Sequence, residues 1–253
     1  MKLFKNIKNW LENQEHLFYL FLFILIVPNM VLCFTEPLPF MAKVANVLLP
    51  FGCYYLLMTL SRNCGKMLWI LFLFLFFGAF QIVLLYLFGQ SIIAVDMFLN
   101  LVTTNSSEAL ELLDNLTPAI IAVIILYVPA LILGMISIIR KRKLTVEFIR
   151  RERKRAFLVF GISLLSLVGA YVQDSGYELK SDLYPLNVCY NVGLAFQRTA
   201  LTQDYHRTSK DFTFHARPTH PEGKREVYVM VIGETSRALN WQLYGYERET
   251  NPL

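Results

Sequence analysis

The chain has 253 residues, of which 55% are Ala, Val, Ile, Leu, Met, Phe, Trp, Tyr or Cys, and its mean hydropathy is +0.45. This apolar share excludes an ordinary soluble domain and also the collagen-like, coiled-coil and disordered classes. The 4 Cys exclude a disulfide-dense secreted scaffold, and the net charge of +5 becomes informative only once the charges are placed along the chain.

Five apolar segments approach or reach the roughly 20 residues that a helix needs to cross a bilayer. They cover residues 17–34, 44–60, 67–88, 118–139 and 156–173. The first segment is not followed by a small-residue cleavage site, so we expect it to be retained rather than removed as a signal peptide. The sequence therefore predicts a mainly α protein whose residues 1–173 form a five-helix transmembrane domain.

The placement of Lys and Arg predicts the orientation of these helices, because cytoplasmic loops collect basic residues. Residues 140–155 hold nine Lys and Arg, whereas residues 89–117 hold none. We therefore expect the N-terminus in the cytoplasm and everything after residue 173 on the far side. The basic run lies between two spans and has no interleaved aromatic residues, which favours a topology signal that meets anionic headgroups over nucleic-acid binding.

Residues 174–225 are predicted to be a helix and a linker in water. Apolar residues recur at near-helical spacing over residues 183–200, which suits either a helix lying on the membrane surface or an ordinary packed helix. Residues 202–224 are polar and contain two prolines, which is typical of a linker. Its His215 and His220 are interpreted as solvated residues rather than metal ligands.

Residues 226–253 are predicted to begin a new α/β domain. Residues 227–232 form a continuous β-rich apolar run that is followed by Gly233 and Glu234. Sites in open α/β sheets lie at the carboxyl ends of strands, which makes Glu234 a candidate ligand or acid–base group. A carboxylate that caps the next helix or faces solvent is the alternative.

The sequence of this last segment, VYVMVIGETSRALNWQLYGYERETNPL, resembles the start of the catalytic domain of membrane phosphoethanolamine transferases in the alkaline phosphatase and sulfatase superfamily, particularly those that modify lipid A. The matching elements are an apolar strand, the Gly-Glu-Thr-Ser-Arg motif at residues 233–237, and the Tyr-Gly-Tyr segment that begins at Tyr244. The family's architecture, an N-terminal helical membrane domain followed by a periplasmic sulfatase-like domain, also matches the predicted spans. The resemblance implies that Glu234 is a zinc ligand.

The loop at residues 96–109 is similar to the family's periplasm-facing segment between spans three and four. In a helix, Asn100, Thr104 and Glu108 would lie four residues apart and close to one face. The resemblance implies that these three residues bind the donor, phosphatidylethanolamine. From the residues alone, a hydrated helix face is the alternative.

The family transfers phosphoethanolamine through a threonine nucleophile that zinc activates, and diacylglycerol leaves as the first product. The resemblance places this threonine, and the Asp and His zinc ligands, beyond Leu253. We therefore assign no catalytic residue in this chain, and neither Thr235 nor Ser236 fits a nucleophile elbow. We expect the sequence to be an N-terminal fragment that holds only the start of the periplasmic domain and is inactive by itself.

The resemblance implies an enzyme of the bacterial inner membrane that takes zinc as cofactor, phosphatidylethanolamine as donor and lipid A as acceptor. Related transferases that use core heptose or a periplasmic glucan as acceptor, or a glycerolphosphate donor, remain alternatives. A non-catalytic membrane anchor is the alternative from a different class. The sequence leaves open whether Cys189 forms a disulfide.

Overall fold

The computed structural model describes residues 10–88 and 106–208, together with the isolated residues 210, 229, 242 and 247. The chain divides into two units, Met1–Arg207 and Thr208–Leu253, and nearly all of the described residues belong to the first. The described part of the chain is mostly helical and contains no strand. Its helices are α1 Gln14–Thr35, α2 Phe40–Met58, α3 Cys64–Ile70, α4 Phe72–Phe88, α5 Ser106–Ile139, α6 Val146–Gln173, α7 Leu179–Asp182 and α8 Leu186–Thr208.

Four of these helices, α1, α2, α5 and α6, are long and apolar enough to cross a membrane. The helices α3 and α4 together provide a fifth span if they are counted as one, although they are bent by 63° relative to each other. The prediction of a mainly α chain with several membrane-spanning helices is confirmed to this extent.

Side-chain caps explain where three of the helices begin. Asn13 before α1, Asn63 before α3 and Thr145 before α6 each accept a hydrogen bond from a backbone N–H two or three residues further along the chain. A side-chain oxygen at this position satisfies one of the N–H groups that the first helical turn leaves without a partner. The polar residues between the apolar segments therefore set the helix boundaries.

The core of the bundle lies around α1. In the most apolar window of α1, 56% of the residues are buried, against 17% for α6. The exposed faces of α5 and α6 are apolar, with Ile125 exposed to 69% and Leu165 to 72%, as expected for helices that contact acyl chains. The antiparallel helices α2 and α6 form the most extensive pair, and Gly52 permits this because a Cβ there would lie 3.1 Å from the Cα of Phe160.

Two predicted segments differ from the observed elements, and a third lies almost wholly outside the described residues. The third predicted span, residues 67–88, is interrupted at Leu71, where α3 ends and α4 begins. The predicted helix at residues 183–200 is present but begins at Leu186, and it continues to Thr208, so the first seven residues of the predicted linker are helical. The strand predicted at residues 227–232 lies outside the described residues, except for Val229.

Candidate functional site

The residues predicted to bind substrate and metal lie at the margin of the described part or beyond it. Asn100, Thr104 and Glu234 are outside the described residues. Glu108 lies in the first turn of α5, so its backbone is helical, whereas its side chain is outside the described residues. The stripe formed by Asn100, Thr104 and Glu108 therefore stays a prediction.

The structure contains a buried polar cluster that was not predicted from the sequence. We call it the asparagine cluster and define it as Asn29, Asn46, Tyr177, Tyr184 and Asn187. All five residues are at most 6% exposed, and two of them, Asn29 and Asn46, lie inside long apolar segments. Burial of amides and phenols is favourable only when they are hydrogen-bonded, and hydrogen-bond partners explain why four of the five are tolerated, Asn187 being the exception.

Asn46 fastens the segment that follows α6 to the helix bundle. Its side-chain Nδ2 donates to the backbone oxygen of Asp182 at 2.6 Å, and its Oδ1 accepts from the Tyr177 hydroxyl at 2.5 Å. Both contacts join α2 to residues that lie more than 130 positions further along the chain. The segment of residues 174–187 is therefore held at the end of the bundle where α2 begins and α6 ends.

Asn29 fastens the same segment from α1. Its Nδ2 donates to the backbone oxygen of Asn46 at 2.9 Å and to that of Tyr184 at 2.7 Å. Asn29 directly follows Pro28, which lies inside α1 and has no N–H of its own to donate. One amide group thus joins α1, α2 and the segment that leads to α8.

Gly78 of α4 provides the space in which four elements meet. A Cβ at this position would lie 2.9 Å from Pro28, 3.0 Å from the Tyr127 hydroxyl and 3.3 Å from the Tyr184 hydroxyl. The Tyr184 hydroxyl donates to the backbone oxygen of Phe74 at 3.3 Å. Burial raises the pKa of Tyr184 and of Tyr177, so both phenols remain protonated hydrogen-bond donors at neutral pH.

Several polar atoms around the cluster have unused hydrogen-bonding capacity. Among the described residues, the Oδ1 atom of Asn29, both amide atoms of Asn187 and the Tyr127 hydroxyl have no hydrogen-bond partner. Asn187 is 0% exposed, so an amide that lacks partners there is costly. These atoms are neutral, and they can donate to or accept from a polar group without carrying a charge themselves.

The cluster does not provide a metal centre. Within residues 10–88 and 106–208, no three His, Cys, Asp or Glu side chains lie close enough together to hold a metal ion. Zinc binds Cys, His, Asp or Glu side chains rather than neutral amides. The predicted zinc site accordingly depends on Glu234 and not on the asparagine cluster.

A second buried polar group lies near the other end of the α2–α6 pair. The Glu152 carboxylate of α6 is 0% exposed and accepts from the Tyr55 hydroxyl at 2.5 Å, from Arg151 Nε at 2.8 Å and from Arg155 Nη1 at 2.9 Å. Tyr55 follows Asn46 by nine residues on α2, a rise of about 14 Å. The bundle therefore has a neutral polar cluster towards one end and a charged one towards the other.

These groups were not predicted because each is a single polar or acidic residue in a segment that was interpreted by its overall apolar or basic character. Asn29 and Asn46 interrupt apolar runs, and Glu152 is the one acidic residue of the run from Arg150 to Arg155. Intramembrane polar residues are costly and usually functional, which was the signal available for Asn29 and Asn46.

No protein-family model, no curated protein and no solved structure matches the chain.

Proposed function

We propose that the chain belongs to an inner-membrane phosphoethanolamine transferase that moves phosphoethanolamine from phosphatidylethanolamine to lipid A. The observation that carries this proposal is the segment after residue 226, in which an apolar run is followed by Gly-Glu-Thr-Ser-Arg and by Tyr-Gly-Tyr-Glu-Arg-Glu-Thr-Asn-Pro. The four or five apolar helices support it, because a transferase whose donor and acceptor are both lipids needs its site near the headgroups.

The proposed orientation places the N-terminus in the cytoplasm and the asparagine cluster at the periplasmic side. The basic residues support this arrangement, since residues 140–155 form the loop between α5 and α6 and the first turns of α6, at the end of the bundle opposite to the cluster. The donor-binding residues Asn100, Thr104 and Glu108 precede or begin α5, at the end away from this basic run. In this arrangement the start of α5 lies on the periplasmic side, where we propose that the donor headgroup binds.

On this proposal, each predicted site residue has a distinct task. Glu234 would hold zinc, and zinc when bound would favour the ionised form of a hydroxyl nucleophile and neutralise charge on the phosphoryl group. Glu108 would pair with the ammonium of the donor, while Asn100 and Thr104 would offer hydrogen bonds to its phosphate. The asparagine cluster would keep the segment after α6 in place at the same end of the bundle.

The proposal is tested in bacteria that express the gene encoding this chain, by mass spectrometry of their lipid A. We expect lipid A to gain phosphoethanolamine, and we expect Glu234→Ala to abolish this gain and to lower the zinc content of the purified protein. Glu222→Ala, the same change in the polar segment upstream, is the matched control. Phosphoethanolamine on another acceptor would refute lipid A as the acceptor, and its absence from every acceptor would refute the activity.

The donor site is tested separately by lipid binding. We expect the purified chain to retain phosphatidylethanolamine in native mass spectra and Glu108→Ala to lose about tenfold in affinity, as for one charged contact. Asp114→Ala is the control, because in an α-helix its side chain lies about 120° from that of Glu108. Equal losses in the two variants would contradict a specific role for Glu108.

A further inference from the structure

A groove with a largely apolar wall, to which four Lys or Arg residues contribute, lies on the first three turns of α6. Its walls are formed by Arg62, which lies just before α3, and by residues of α6, and its volume is about 480 Å³. The α6 residues are Val146, Ile149, Arg150, Arg153, Lys154 and Phe157. They recur at intervals of three and four positions and therefore share one face of the helix.

The cations of this groove are oriented by backbone oxygens rather than neutralised by carboxylates. Arg62 Nε donates to the backbone oxygen of Leu144 at 2.9 Å, and Arg153 Nη2 donates to that of Thr59 at 2.7 Å. In the part of the chain that the structure describes, no Asp or Glu forms an ion pair with Arg62, Arg150, Arg153 or Lys154. The groove thus concentrates positive charge that an anion can compensate.

Glu152, the nearest acidic residue in the sequence, is engaged elsewhere. Its two carboxylate oxygens accept from Tyr55, Arg151 and Arg155, none of which lines the groove. Arg151 and Arg155 are therefore partly compensated, whereas Arg150 and Lys154 are exposed on the same helix without such a partner among the described residues. This division separates a structural ion cluster from a cationic surface that is available to a ligand.

The position of the groove along α6 matches the boundary between headgroups and acyl chains. With 28 residues, α6 is about 42 Å long, which exceeds the roughly 30 Å of the hydrocarbon layer by about two turns. The cations of α6 lie in its first ten residues, and the apolar face that follows is exposed, with Phe157 at 62% and Leu165 at 72%. A ligand in the groove would meet cations at one end and an apolar, lipid-facing helix at the other.

We propose that this groove binds the phosphate headgroup of an anionic phospholipid, with its acyl chains along the exposed face of α6. Basic pockets between membrane helices are suited to anionic headgroups, and the volume lies within the range of small-molecule sites. Arg62 and Arg153 are pre-oriented for the phosphate oxygens, while Arg150 and Lys154 add charge. A free phosphate would use the cations alone and would gain nothing from the apolar face.

The test is native mass spectrometry of the purified chain in a non-ionic detergent, titrated with phosphatidylglycerol. We expect the double variant Arg150→Gln/Lys154→Gln to bind it about tenfold more weakly than the wild type, since each cation contributes to attraction of the headgroup. Lys141→Gln/Lys143→Gln is the control, because it removes the same charge from exposed residues of the neighbouring loop. The charge-conserving variant Arg150→Lys/Lys154→Arg should retain binding, and melting temperatures in the same detergent should show that all variants are folded.

Three results would overturn the proposal. Equal weakening in the groove variant and in the control would mean that the charge acts without a site. Phosphatidylcholine that binds as tightly as phosphatidylglycerol would mean that acyl chains alone are recognised. Displacement of the lipid by inorganic phosphate at comparable concentration would identify a free anion as the ligand. Because phosphatidylethanolamine transfer is not measured in this assay, these results are independent of the proposed function.

Discussion

Replacement of Asn46 by Leu should release the segment of residues 174–187 from the bundle while leaving the helices in place. Leu is similar in size to Asn and apolar, so it can occupy the buried position on α2. It cannot accept from the Tyr177 hydroxyl or donate to the oxygen of Asp182, two hydrogen bonds that the wild-type side chain makes at 2.5 and 2.6 Å. The backbone oxygen of residue 46 remains available to Asn29.

The expected cost follows from the burial of the two stranded partners. Tyr177 is only 2% exposed, so its hydroxyl loses a partner without gaining water, which costs about 2 kcal/mol. Asp182 is partly exposed, so water can replace the lost donor and the cost is about 1 kcal/mol. Together they amount to about 3 kcal/mol, which increases the opening of this segment about a hundredfold.

Hydrogen exchange followed by mass spectrometry measures this opening directly. We expect peptides that cover residues 177–188 to exchange about a hundredfold faster in Asn46→Leu and about tenfold faster in Tyr177→Phe, which removes one hydroxyl. Tyr171→Phe is the control, because Tyr171 packs edge-on against Tyr177 but is 43% exposed. Unchanged exchange in Asn46→Leu, or equal acceleration throughout the bundle, would refute the fastening role of Asn46.

Two further sets of substitutions test the packing of the bundle through melting temperatures in detergent. Gly65→Ala should destabilise the chain by about 3 kcal/mol because its Cβ would overlap the backbone of Gly134. Gly134→Ala should cost less because its Cβ would meet mainly the side chain of Leu68. Gly161→Ala should be neutral or slightly stabilising because its Cβ would have nothing within 4 Å. Equal effects at all three glycines would contradict the close approach of α3 and α5. Glu152→Gln should lower the free energy of unfolding by about 2 kcal/mol, since a neutral amide replaces a carboxylate that accepts three charge-assisted or short hydrogen bonds. The control Glu147→Gln should have almost no effect because Glu147 is exposed. Similar melting temperatures for the two variants would show that the Glu152 contacts are dispensable.

The apolar helices were predictable because a membrane imposes one requirement on every residue of a span. About 20 consecutive apolar residues signal a helix regardless of its neighbours, so α1, α2, α5 and α6 are all visible in the sequence. The break at Leu71 was not visible, since residues 67–77 are continuously apolar and contain neither Gly nor Pro. This break accompanies the contact between Gly65 and Gly134, two residues 69 positions apart, which a local pattern does not encode.

The polar clusters also depend on contacts between residues that are distant in the sequence, which a local pattern does not encode. The sequence marks Asn29 and Asn46 as polar residues in apolar runs, but their partners, Asp182 and Tyr184, lie more than 130 positions away. The role of Asn46 therefore emerges only when the segment after α6 is seen against α2. The basic groove is an intermediate case, because its helical spacing is present in the sequence while the addition of Arg62 requires the fold.

The two proposed sites should favour lipids of different charge, which makes the two lipid proposals separable. The proposed donor, phosphatidylethanolamine, is zwitterionic, so a site for it needs an anionic partner for the ammonium, and Glu108 at the start of α5 is the proposed one. The groove on α6 has four cations and no carboxylate in its lining, so it should discriminate against a zwitterion and favour a net negative headgroup. Glu108→Ala should therefore weaken phosphatidylethanolamine and spare phosphatidylglycerol, and Arg150→Gln/Lys154→Gln should do the reverse. A single variant that weakened both lipids equally would show that one shared surface, rather than two sites, binds them.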